Sequence, residues 1–144
     1  MAISYYSEDI PLPSFKKSIV NKWIRETALN YNKTVGTITY LFCTDEKILE
    51  MNRQYLQHDY YTDIITFDYS DHDKIAGDLV ISLDTVKTNA DKFGTDYMDE
   101  LYRVIIHGIL HLCGINDKTS EEQNVMTNAE NEALSTLKYI LFNK

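Results

Sequence analysis

The stretch "YMDELYRVIIHGILHLCGIND" (97–117) decides how the rest of the chain is read. Residues 97 to 113 have helical character, and from Val104 to Cys113 they are apolar nearly all round, as expected of a central buried helix. Two imidazoles break the apolar run, His107 and His111. Residues four apart lie about 40° round a helix and about 6 Å along it, so both rings point the same way from adjacent turns. Gly114 can take the left-handed conformation that ends a helix and turns the chain back. That return can bring the Asp117 carboxylate round to the same point. Two histidines and one aspartate make three metal ligands with a fourth position open, the pattern of a catalytic rather than a structural zinc site.

Position 108 selects the reaction class. In HExxH peptidases the residue after the first histidine is the glutamate that serves as general base. Here it is Gly108, so the usual zinc peptidase mechanism lacks its base. A glycine inside a helix costs up to about 1 kcal/mol relative to alanine. Something, a substrate or another packed element, is therefore expected to approach the backbone there. Two histidines and a carboxylate also suit non-haem iron oxygenases, but the helical H-x3-H spacing points away from them.

Outward from this helix, elements of both kinds are expected. A strand at Ile3 to Tyr6 precedes a helix from Phe15 to about Asn30, capped by Ser14, with Phe15, Ile19, Trp23 and Ile24 inward. Its polar side carries Lys16, Lys17, Lys22 and Arg25, read as a solvated face. "TVGTITYLFCT" (34–44) has strand composition, and Thr44 or Asp45 can cap a helix from Glu46 to Leu56. "TDIITFDYS" (62–70) and "GDLVISL" (77–83) form a hairpin across "DHDKIA". A helix from Asp84 to Phe93 ends at Gly94, and "TSEE" (119–122) is a capping box opening a helix to Phe142. The result is an α+β fold: a single domain over residues 1–144 with a small mixed β-sheet flanked by helices and the histidine-bearing helix at its centre.

Composition sets the outer bounds. The chain has 144 residues, 44% apolar and 25% charged, ordinary for one globular domain. Cys43 and Cys113 lack a metal or redox spacing and read as small buried apolar residues. No apolar run nears the roughly 20 residues of a membrane span, and the N-terminus lacks signal-peptide features, so a cytoplasmic location is expected. The net charge of −8 repels polyphosphate at long range, so any RNA contact must be local or arranged by a basic partner.

With these blocks in place, the chain resembles the YbeY family of bacterial metal-dependent endoribonucleases of rRNA maturation. "HGILHLCGIND" is similar to the family's H-G-x-L-H-L-x-G-x-D-H. "MNRQYLQHDYYTDIITF" (51–67) and "AGDLVIS" (76–82) are similar to its N-x-x-Y-R…T-D-V-L-S-F and L-G-D-I-V-I-S blocks, in the same order. The resemblance implies one zinc ion. It also implies a single-strand-directed endoribonuclease acting on rRNA, at the 16S 3′ end, in small-subunit assembly or quality control. Implied partners are the small ribosomal subunit with its basic proteins and the Era GTPase.

Two departures stand out. Position 117 holds Asp where the family pattern has His, lowering the net charge of the zinc site from about +2 to +1. This should leave a bound water less acidic and make manganese or iron more acceptable. The family's arginine after N-x-x-Y is replaced by Leu56; Arg53, three residues earlier on the expected helix, can offer a guanidinium instead. Asp78 matches a family active-site position. Phe67, Tyr60, Tyr61 and Tyr69 are candidate stacking surfaces for unpaired bases, while His58 and His72 read as solvated. A non-catalytic assembly factor with a structural zinc, and a metallohydrolase of another substrate, are the rival readings.

Overall fold

Alternation along "ITYLFC" builds the centre of the sheet. In β2 (Thr34–Cys43), Ile38, Tyr40 and Phe42 are buried on one face, with Thr37, Thr39 and Leu41 between them. The fold is a computed structural model that describes residues 2–56 and 62–142. Strands β1 (Ile3–Ser7), β2, β4 (Lys74–Ser82) and β3 (Ile64–Asp68) form one mixed sheet in the order β1-β2-β4-β3. β1 and β4 run parallel to β2, whereas β3 is antiparallel to β4. The 62–83 segment is thus the expected hairpin. Its turn is tighter than expected, because β4 starts at Lys74 and an Asp71–Lys74 bridge closes it.

Helices α1 (Lys17–Leu29) and α4 (Tyr97–Leu112) pack over the face carrying Ile38, Tyr40, Phe42, Leu79 and Ile81, and α5 (Ser120–Phe142) packs on those two helices. In α4, Leu101, Val104, Ile105, Ile106, Ile109 and Leu110 are all buried. Fully burying one such side chain contributes roughly 1.5–3 kcal/mol. Polar tips inside this core are paired: the Tyr40 hydroxyl donates to the Ile105 carbonyl at 2.9 Å and Trp23 Nε1 to the Ala133 carbonyl at 2.7 Å. On the opposite face a smaller cluster, Cys43, Ile65 and Val80, lies under Ile48 of α2 (Asp45–Met51). α3 (Leu83–Phe93) ends at Gly94 as expected.

Two helix boundaries differ by more than one residue from the sequence reading. α1 starts at Lys17 rather than Phe15, and its cap residue is Lys16 with no side-chain cap, so Ser14 does not cap it. Phe15 instead packs edge-on against Tyr5 and Tyr102, and that burial outweighs the propensity of Ser14 for a cap. The helix expected over 46–56 stops at Met51 and continues as one π-helical turn, Asn52–Leu56. Asn52 is buried there. Thr44 does cap α2, accepting from the Lys47 amide at 3.3 Å. Among the described residues no helix is long and apolar enough to cross a membrane.

Candidate active site

Helix α4 with the turn that follows it, the middle of α5 and the start of β3 deliver the candidate site. α4 closes in a Schellman arrangement: the Ile115 amide reaches the Leu110 carbonyl at 3.1 Å and Gly114 the His111 carbonyl at 3.0 Å. Gly114 has φ +104°, a conformation that side chains rarely adopt. Ile115 packs onto the core, and the reversed chain carries Asp117 back over α4. Its Oδ2 stands 3.2 Å from His107 Nε2. The Thr119–Glu122 capping box then starts α5, with Glu122 N donating to Thr119 Oγ1 at 3.1 Å and Thr119 N to Glu122 Oε1 at 3.0 Å.

On its other side the same ring meets α5. His107 Nδ1 is 2.7 Å from Glu130 Oε2. Arg103, one turn earlier on α4, donates to Glu130 Oε1 and to Asn131 Oδ1, both at 2.8 Å. Glu130 is buried. Asp63, half-buried just before β3, adds a third negative charge near the ring. Burial favours the neutral imidazole, but the Glu130 hydrogen bond and the charges of Glu130, Asp63 and Asp117 outweigh it and raise the His107 pKa above the usual histidine value. The Asp63 carboxyl is itself pushed up by burial, which His107 partly offsets. A cation is therefore favoured in this place.

The donor set suits a divalent ion. Two donors about 2.0–2.1 Å from one tetrahedral zinc stand about 3.3 Å apart, close to the separation of His107 Nε2 and Asp117 Oδ2. A carboxylate on the far nitrogen of a ligating histidine is the common supporting partner of such sites. His111 stands one turn along α4, half-buried. Among the described residues no three histidine, cysteine or carboxylate side chains are grouped closely enough to hold an ion as they stand. The structure brings His107 and Asp117 together and leaves His111 adjacent on the same helix.

Gly108 is explained by packing. A Cβ there would meet Ile64 Cδ1 at 3.0 Å and the Leu79 methyls at 3.1 Å, so the element approaching this backbone is the sheet. A catalytic glutamate has no room at this position.

Other sequence candidates lie apart. Asp78 sits on the sheet face away from α4 and accepts from the Tyr69 hydroxyl at 3.1 Å. With Tyr6, Leu41, Met51 and Phe67 it lines a groove of about 300 Å³. Phe67 meets Tyr55 edge-on, and Tyr69 is exposed. Arg53 is exposed on the π-helical turn. Tyr60, Tyr61 and His58 lie outside the described residues. His72 is exposed beside Asp71. Cys43 is buried and Cys113 half-buried, with burial pushing their thiols up to about 12 and about 11. Sequence reasoning missed Glu130, Arg103 and Asp63. A signal existed for Glu130, a charge on the helix stripe formed by Met126, Ala129, Ala133 and Leu137.

A family model described as Endoribonuclease YbeY matches residues 2–138. A Parabacteroides distasonis protein named Endoribonuclease YbeY is 65% identical over 95% of this chain and 96% of its own length. One of the same name from Bacteroides thetaiotaomicron is 61% identical over 94% and 98%. The solution structure of Thermotoga maritima TM1509 superposes with a TM-score of 0.67 at 22% identity, covering 94% of this chain and 89% of that one. At that identity the likeness is one of fold.

Proposed function

This chain belongs to the YbeY endoribonuclease family, and from that premise we propose that it hydrolyses phosphodiester bonds in single-stranded stretches of ribosomal RNA, using one zinc ion. The proposed setting is the cytoplasm and the proposed target the 3′ end of 16S rRNA, during assembly or quality control of the small subunit. The observation that carries the metal reading is His107, held between Glu130 at 2.7 Å and Asp117 at 3.2 Å. His107, His111 and Asp117 would hold the ion, with manganese or iron admissible because of the carboxylate. Bound there, it would stabilise negative charge on the phosphoryl oxygens of the substrate.

The rest falls to the chain itself. Arg53 is proposed to contact a substrate phosphate, and Asp78 to act on the RNA side rather than at the ion. With a net charge of −8 the surface gives little long-range attraction for RNA. Basic proteins of the small subunit, and the Era GTPase, are the proposed partners that bring substrate to it. Gly108 counts against a peptidase, since its packing leaves no room for the glutamate base.

The test is incubation of metal-loaded protein with unstructured and structured RNA beside His107→Ala and His111→Ala. Cleavage of the unstructured RNA, abolished in both variants, is expected. Equal residual cleavage in all three preparations would overturn the nuclease reading. The acidic charge also favours a docking factor with a structural zinc. In that case chelation would unfold the protein, whereas a core closed by apolar packing should keep its helical circular dichroism.

A further inference from the structure

The hydrogen bonds around Glu130 account for both of its oxygens. Oε1 accepts from Arg103 and Oε2 faces His107 Nδ1, while Arg103 spends its second nitrogen on Asn131. Arg103 donates to one carboxylate oxygen, so Glu130 offers the other as an acceptor and the ring nitrogen facing it is the donor, the usual arrangement behind a ligating histidine. The proton in the 2.7 Å contact therefore resides on Nδ1. For a neutral ring this leaves Nε2 with its lone pair, directed toward Asp117 Oδ2 at 3.2 Å. Two acceptors that close repel each other unless positive charge lies between them, either a proton or a metal ion.

We propose that Glu130, braced by Arg103, is the positioning residue of this site. It fixes His107 with Nδ1 protonated and Nε2 facing Asp117, and so sets the affinity for a divalent cation there. This rests on the metal reading above. The geometry also accounts for the choice of scaffold. Glu130 lies on the buried stripe of α5, where neighbouring Ala129 and Ala133 fix its backbone against the core. Arg103 precedes His107 by one turn of α4, so a single helix presents both the ring and the brace for its partner.

The test compares wild type with Glu130→Ala, Glu130→Gln, Arg103→Ala and the exposed-carboxylate control Glu132→Gln. Zinc affinity is measured by competition with a chromophoric chelator. The His107 tautomer is read from ¹⁵N chemical shifts of the metal-free protein at alkaline pH, and thermal unfolding checks that each variant is folded. Expected are a 10–100-fold weaker affinity in Glu130→Ala, a smaller loss in Arg103→Ala, and no change in Glu132→Gln. The ring should move to the Nε2-protonated tautomer in Glu130→Ala. If wild type binds zinc and folded Glu130→Ala and Glu130→Gln match it within twofold, the positioning role is overturned. If wild type binds no zinc yet Glu130→Ala still changes the tautomer, the metal reading fails while the role of Glu130 in orienting the ring stands. If the tautomer is unaffected as well, both fail.

Discussion

Gly108 and Ile64 are in such close contact that a methyl group on the glycine would come within 3.0 Å of the isoleucine Cδ1. Helix α4 thus lies directly against the sheet at the residue between the two histidines. Gly108→Ala gains about 1 kcal/mol of helix propensity but overpacks the contact at a cost of about 1–3 kcal/mol. A net loss of up to about 2 kcal/mol is expected in urea titrations. Gly108→Glu adds the burial of a carboxylate and should lose at least about 3 kcal/mol without gaining peptidase activity. Wild-type stability in the Glu variant would mean that α4 does not pack as described.

Asp117 should be replaceable by another donor but not by a methyl group. Asp117→Ala is expected to lower zinc content and RNA cleavage together, by at least about tenfold, whereas Asp117→His retains both. Zinc content is read by elemental analysis of chelator-free preparations. Full occupancy in both variants would remove Asp117 from the ligand set.

Arg53→Ala separates substrate contact from metal binding. Losing one charge-assisted hydrogen bond costs about 1.5–3 kcal/mol, so cleavage should fall about 10- to 100-fold with zinc content unchanged. An unaltered rate eliminates Arg53 as the substitute for the family's missing arginine.

Glu122 gives a stability term with a defined sign. The Thr119 amide, chiefly, with the Lys118 amide and the Thr119 hydroxyl, holds its carboxyl below the ordinary value of 4.5 in the folded state. Its contribution is therefore fully present above that ordinary value and is lost as pH falls through the depressed folded value. Glu122→Gln should be less stable than wild type at neutral pH, the difference closing in acid. A constant difference across the range would show that the capping box does not depend on the charge. The box matters to the site because it fixes the start of α5, the helix that carries Glu130.

How much was legible depended on how local the cause was. Period and end signals in 97–117 gave α4, the glycine that reverses the chain and the return of Asp117, because each rests on bonds within a few residues. The α5 capping box and the β3–β4 hairpin were readable for the same reason. The π-helical turn was not, since burial of Asn52 is a tertiary demand that overrides a helical pattern. Ser14 was read as a cap for its chemistry, but Phe15 found aromatic partners and the helix began later.

The sequence by itself determined the α+β class, most of the elements and the turn at Gly114 that brings Asp117 back toward α4. Only the tertiary structure decided what stands on the far nitrogen of the His107 ring. Glu130 is 23 residues from His107 in the chain, and no local spacing relates positions on two different helices. It also decided why residue 108 is glycine, because the atoms that exclude a side chain there belong to Ile64 and Leu79 on separate strands.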